Sequence, residues 1–141
     1  MNTSIAPVLS VLSVGATALL TAALATPAFA GECTVRPVDG HDFTICATKS
    51  TGGKRVTIMF EGDEITTSTV EGTVCREPEA NATSAILWMP AHGHGSTPTT
   101  LSQQGNGCTL VSDIDFSMKG TWQVQLRFQG GDRAVLEFPV K

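Results

Sequence analysis

The chain has 141 residues and a formal net charge of −4. Nine Lys and Arg stand against thirteen Asp and Glu, with no basic run, which argues against nucleic acid or an anionic lipid surface as partner. The length suits one small domain, and no internal repeat divides it.

Residues 1–30 carry no charged side chain, and "VLSVLSVGATALLTAALA" is a run of small and apolar residues. Ala28-Phe29-Ala30 follows it and fits the A-x-A pattern of a secretory cleavage site. The expectation is a signal peptide over 1–30 and a single mature domain over 31–141, periplasmic or secreted and not inserted in a membrane. One departure is the lack of Lys or Arg before the apolar run. The alternative is a retained anchor, since the run is nearly long enough to span a bilayer.

All four cysteines, Cys33, Cys46, Cys75 and Cys108, follow the apolar run, and an even number in an exported chain reads as two disulfides. No C-x-x-C occurs, which leaves thioredoxin-like and zinc-ribbon chemistry without support. "CTVRPVDGHDFTIC" holds Asp39-Gly40, a two-residue hairpin turn signal. Folding on that turn sets Cys33 opposite Cys46 in a non-hydrogen-bonded pair, where Cα atoms come closest. Cys75 is left for Cys108, and that bridge closes a loop around the later histidines. His41 lies beside the turn and reads as exposed.

In "KRVTIMF", Val56, Ile58 and Phe60 alternate with Arg55, Thr57 and Met59, the pattern of a half-buried strand. "ITTSTVEGTVC" is rich in β-branched residues and reads as the next strand. "REPEANAT" reads as a polar loop, and "SAILWM" as a wholly apolar strand ending at Pro90. A long loop over 90–107 precedes a strand on which Cys108, Leu110, Ile114 and Phe116 share a face. Met118-Lys119-Gly120 then fits a three-residue hairpin loop with glycine in the left-handed position. In "TWQVQLRF", Trp122, Val124, Leu126 and Phe128 share one face; in "RAVLEFPV", Ala134, Leu136, Phe138 and Val140 do. A hairpin through "QGGD" joins the two, with Trp122 expected opposite Val140, Val124 opposite Phe138, and Leu126 opposite Leu136. No segment of 31–141 shows a sustained helical period. Seven or eight short antiparallel strands with polar turns predict an all-β, immunoglobulin-like β-sandwich.

"LWMPAHGHGST" is the segment with chemistry. His92 and His94 are two residues apart, so in extended chain they point the same way with Cα atoms about 6.5–7 Å apart. Two such imidazoles can converge on one metal ion. Met89 offers a soft thioether, and Met118 a second. Imidazole with thioether is a ligand set for copper: nitrogen suits both oxidation states and sulfur favours Cu(I). The competing reading is a solvated loop, with Met89 and Met118 used for packing. A hydrolase would use Ser96 beside His94 with Asp113 or Asp115, but no nucleophile motif supports it. Glu61, Asp63 and Glu64 read as a charged turn.

"WMPAHGHGS", then "GNGCTLVSDIDFSMKGTWQVQLRF" and a closing "AVLEFPV", resemble the YtkA-like/FixH family of small exported or membrane-anchored bacterial domains. The matching residues are Met89-Pro90, His92-Gly93-His94-Gly95, Gly105, Gly107, Phe116, Met118, Gly120 and Trp122, within roughly residues 84–140. Cys108 departs from the family pattern, which usually has an aromatic there, and a cleavable signal stands in place of the FixH-type anchor. The resemblance implies an immunoglobulin-like sandwich in a bacterial envelope. Through FixH-type members it also implies copper delivery during oxidase assembly. The expected function is non-enzymatic copper handling through His92, His94, Met89 and Met118. The alternative is a metal-free module that binds another envelope protein.

Overall fold

A computed structural model describes Gly31–Glu32 and residues 43–141. The expected signal peptide, the Asp39-Gly40 turn, Cys33 and His41 lie outside the described residues. Ten antiparallel strands are found among the described residues: β1 (Gly31–Glu32), β2 (Phe43–Thr51), β3 (Lys54–Glu61), β4 (Thr69–Glu77), β5 (Ala82–Met89), β6 (His94–Gly95), β7 (Thr100–Gly105), β8 (Cys108–Asp115), β9 (Gly120–Phe128) and β10 (Arg133–Val140). They form a six-stranded sheet ordered β1-β2-β3-β4-β8-β7 and a four-stranded sheet ordered β10-β9-β5-β6. The two pack as a β-sandwich, and the all-β expectation holds. The count exceeds seven or eight because β1 and β6 are only two residues long and β7 lies where a loop was expected.

The core follows from alternation. Val56, Ile58 and Phe60 of β3 face inward, as do Trp122, Val124, Leu126 and Phe128 of β9 and Leu136 and Phe138 of β10. Each is nearly sealed from solvent, and burying a side chain of this size stabilises by about 1.5–3 kcal/mol. Phe60 stands edge-on to Phe138 (ring centroids 5.1 Å) and to Phe116 (6.3 Å), and Phe116 edge-on to Trp122 (6.0 Å). This ladder of rings leads from mid-core toward one end of the sandwich.

Several expectations shift in register. The β9–β10 hairpin pairs Trp122 with Phe138, Val124 with Leu136 and Leu126 with Ala134, a slip of two residues from the expected partners. The turn closes one step tighter, with the Phe128 N–H donating to the Asp132 carbonyl and the Gly131 N–H to the Phe128 carbonyl. The Cα partner of Cys46 is Gly31, not Cys33. The Cys33–Cys46 bridge itself involves a residue outside the described set. The second bridge is present: Cys75 and Cys108 are direct partners between β4 and β8, with Cα atoms 4.0 Å apart.

On β8 and just past its end the inward residues are Val111, Ile114 and Phe116, not Leu110. A bulge explains the change of phase. Two residues, Ser112 and Asp113, oppose the single Glu71 of β4 between the Val70–Ile114 and Gly72–Val111 pairs. Asp113 takes a left-handed conformation (φ 60°) there, which aspartate tolerates better than most residues. β5 is not wholly buried either. Ala85, Leu87 and Met89 face the core, while Ile86 and Trp88 stand 53% and 36% exposed on the outer face. β4 also runs to Glu77, into the expected polar loop.

The segment 90–107 is the largest correction. It contains β6, paired with β5, and β7, paired with β8, so the chain crosses from one sheet to the other between them. Side chains strap the crossing in place. Ser96 Oγ donates to the Asp115 carbonyl on one sheet (2.6 Å), and Thr99 Oγ1 donates to the Ala85 carbonyl on the other (2.6 Å). Residues 116–119 cross back from β8 to β9, so Met118 sits in a connection between sheets and not in a hairpin within one.

Candidate functional site

Because the chain crosses twice, the β5–β6 turn and the β8–β9 connection come to the same end of the sandwich. The β5–β6 turn is built from Pro90-Ala91-His92-Gly93. Its His92 and Gly93 N–H groups both donate to the Met89 carbonyl, at 3.2 and 2.9 Å. Gly93 supplies the left-handed residue (φ 65°) that brings the chain back. Met89 and His94 are then direct partners across β5 and β6. Directly opposed residues project to one side of a sheet, so His94 shares the side of Met89, which is the core side.

That placement sets the His94 ring. It meets Trp122 edge-on at 6.1 Å between centroids and extends the core ladder outward, and His92 lies 5.8 Å beyond it at 48° between planes. His94 is half-buried and His92 is exposed. His94 Nδ1 lies 3.0 Å from the Gly95 carbonyl oxygen. A carbonyl only accepts, so in this contact Nδ1 is the donor and Nε2 is the nitrogen left to face a ligand. A hydrogen bond from one ring nitrogen to a backbone carbonyl is the usual way an imidazole ligand is oriented.

Met89 is buried at 1% exposure and belongs to the core cluster. Its methyl group lies 2.6 Å from where a Cβ on Gly120 would stand, so a side chain at 120 would force that methyl to move. Gly120 also has φ 127°, a backbone that side chains disfavour. Met118 is 37% exposed, and its carbonyl accepts the Trp122 indole N–H at 2.8 Å. That bond ties the Met118 connection to the ring that His94 meets. All four expected residues thus gather at one end: His92 and His94 on the turn, Met89 beneath them, Met118 on the adjacent connection.

The donor set can be tested against a metal ion. An imidazole nitrogen binds at about 2.0–2.1 Å, which sets the ring centroid roughly 3 Å from the ion, so two rings on one ion stand roughly 5–6 Å apart. The 5.8 Å between His92 and His94 falls in that range. Among the described residues, no three His, Cys, Asp or Glu side chains gather closely enough to hold an ion. A site here therefore rests on two imidazoles completed by thioether sulfur or water.

Two details were not read from the sequence. Trp122 belongs to this end as well as to the core; the signal was an indole N–H, which needs an acceptor when buried, close behind a turn. The Cys75–Cys108 bridge does not touch the histidines. It lies at the start of β8, roughly 23 Å along the strand from its Asp115 end. It limits residues 76–107 through chain connectivity alone. Ser96, the serine that a hydrolase would have used, donates its hydroxyl to a backbone carbonyl. No family model matches the chain, and the searches of curated proteins and of solved structures found no match.

Proposed function

We propose that the chain is an exported, non-enzymatic copper-handling domain of the YtkA-like/FixH type, with His92 and His94 as primary ligands and Met118 and Met89 as soft partners. The observation that carries the reading is the pair of imidazoles 5.8 Å apart on one tight turn, with His94 Nδ1 turned to the Gly95 carbonyl. Copper in either oxidation state accepts imidazole, and thioether favours Cu(I). The exposed Met118 is the readier sulfur donor; Met89 must leave core packing to contribute. The Cys75–Cys108 disulfide supports an oxidising compartment, periplasmic or extracellular.

The test is anaerobic Cu(I) and aerobic Cu(II) titration of residues 31–141, beside a His92→Ala/His94→Ala variant. One equivalent bound by the parent and lost in the variant supports the reading. Equal binding by both, or none by either, ends it. A second reading, a metal-free module that docks another envelope protein, has one observation in its favour. Ile86 and Trp88 stand exposed side by side on the outer face of β5.

A further inference from the structure

The end of the sandwich opposite the histidines holds a concentration of basic side chains. A groove of about 250 Å³ opens between the β2–β3 turn and the β9–β10 turn. Lys49, Lys54, Arg76 and Arg133 line it, with Asp132 as the one carboxylate among its lining residues. Four of the nine basic residues of an acidic chain thus face a single small volume.

Arg76 is the fixed member. Its side chain is 8% exposed, and its guanidinium lies over the Phe128 ring at 5.8 Å. It donates to the Pro78 carbonyl at 3.0 Å and to the Asp132 carboxylate. Its Nε is buried without a hydrogen-bond partner. A charged donor held out of water and left unpaired is unfavourable, and such groups mark places where a further acceptor belongs. Asp132 cannot balance the groove alone, because Lys54 shares it at 2.6 Å. Among the described residues neither Lys49 nor Arg133 is in an ion pair.

We propose that this groove binds a compact oxyanion, a phosphate or a small dicarboxylate, with Lys49, Lys54 and Arg133 as charge partners around the fixed Arg76 guanidinium. Cations gathered in a concave site with apolar walls focus the field and attract a counter-charge. Guanidinium geometry suits both phosphate and carboxylate. The volume falls below the roughly 300–1,000 Å³ of sites for drug-sized ligands, which points to a small anion over a nucleotide. The site is separate from the histidine pair, since Phe128 and Gly120 are opposite ends of β9.

Calorimetric titration of the protein with inorganic phosphate and, separately, with succinate at constant ionic strength tests this. The companion is a Lys49→Gln/Arg133→Gln variant, because both side chains are exposed and their removal spares the fold, whereas replacing Arg76 endangers it. The expected result is saturable one-site binding of at least one anion, weakened fivefold or more in the variant. Tighter phosphate binding identifies a phosphoryl ligand; tighter succinate binding identifies a carboxylate. No saturable binding of either anion, or a loss under fivefold in the variant, overturns the proposal.

Discussion

Gly120→Ala is the substitution that most sharply probes the histidine end. A Cβ there would lie 2.6 Å from the Met89 methyl, about 1 Å inside the normal carbon–carbon contact of about 3.5–4.0 Å. The methyl is the end of a flexible side chain, so relieving the overlap costs about 1 kcal/mol, the low end for overpacking. The φ of 127° adds strain of about 1–3 kcal/mol once a side chain is present. Together the loss is roughly 2–4 kcal/mol, a fall of roughly 1–2 M in urea midpoint at an ordinary slope. Met89→Leu shortens the side chain by the clashing methyl and costs under about 1.5 kcal/mol alone. Equilibrium urea unfolding of both single variants and the double variant separates the two causes. The double variant should recover up to about 1 kcal/mol relative to additivity, leaving the backbone strain. Strict additivity, or a Gly120→Ala loss under about 0.5 kcal/mol, would refute the close packing of Met89 on β9.

Two further outcomes follow from the other end. Replacing Cys75 and Cys108 together by Ser should cost about 4 kcal/mol by the chain-entropy relation for a separation of 33 residues, read from the same urea curves. A loss under about 1 kcal/mol would show that the bridge adds little to a ladder already closed by β4–β8 pairing. The Lys54 hydrogen bond, and then the charges of Lys54 and Arg76, hold the Asp132 carboxyl below its ordinary value, against an opposing effect of desolvation. A depressed folded pKa gives stability that is present above the unfolded carboxylate range and lost as pH falls through the folded value. Asp132→Asn should therefore flatten the stability–pH curve below about pH 4; an unchanged acid limb would contradict the pairing.

The strands of this fold were legible where alternation is strong, and their partners were not. Alternation assigns Trp122, Val124, Leu126 and Phe128 to one face, yet it is blind to a slip of two residues, which keeps every face. Trp122 opposite Val140 and Trp122 opposite Phe138 satisfy it equally, and the turn at Gly130-Gly131 decides. The phase change on β8 was hidden because one residue in a left-handed conformation, Asp113, moves every later side chain to the other face. The two polar residues Ser112-Asp113 were its only trace. β6 and β7 are short or polar, so 90–107 carried no strand signal, and the double crossing could not be read. The histidine spacing and both methionines were visible. What the sequence lacked was the route that returns Met118 to the histidine end, and the distinction between a core Met89 and an exposed Met118.

The most direct test of copper at the histidine pair uses Trp122 as the reporter, because its ring stands 6.1 Å from the His94 ring. In a Trp88→Phe background, Trp122 is the only indole of the chain. Copper(II) bound at His92 and His94 should quench its emission, with a break at one equivalent, and the His92→Ala/His94→Ala variant should keep its emission over the same range. Emission unchanged by copper(II), or quenched alike with and without the two histidines, would contradict the assignment.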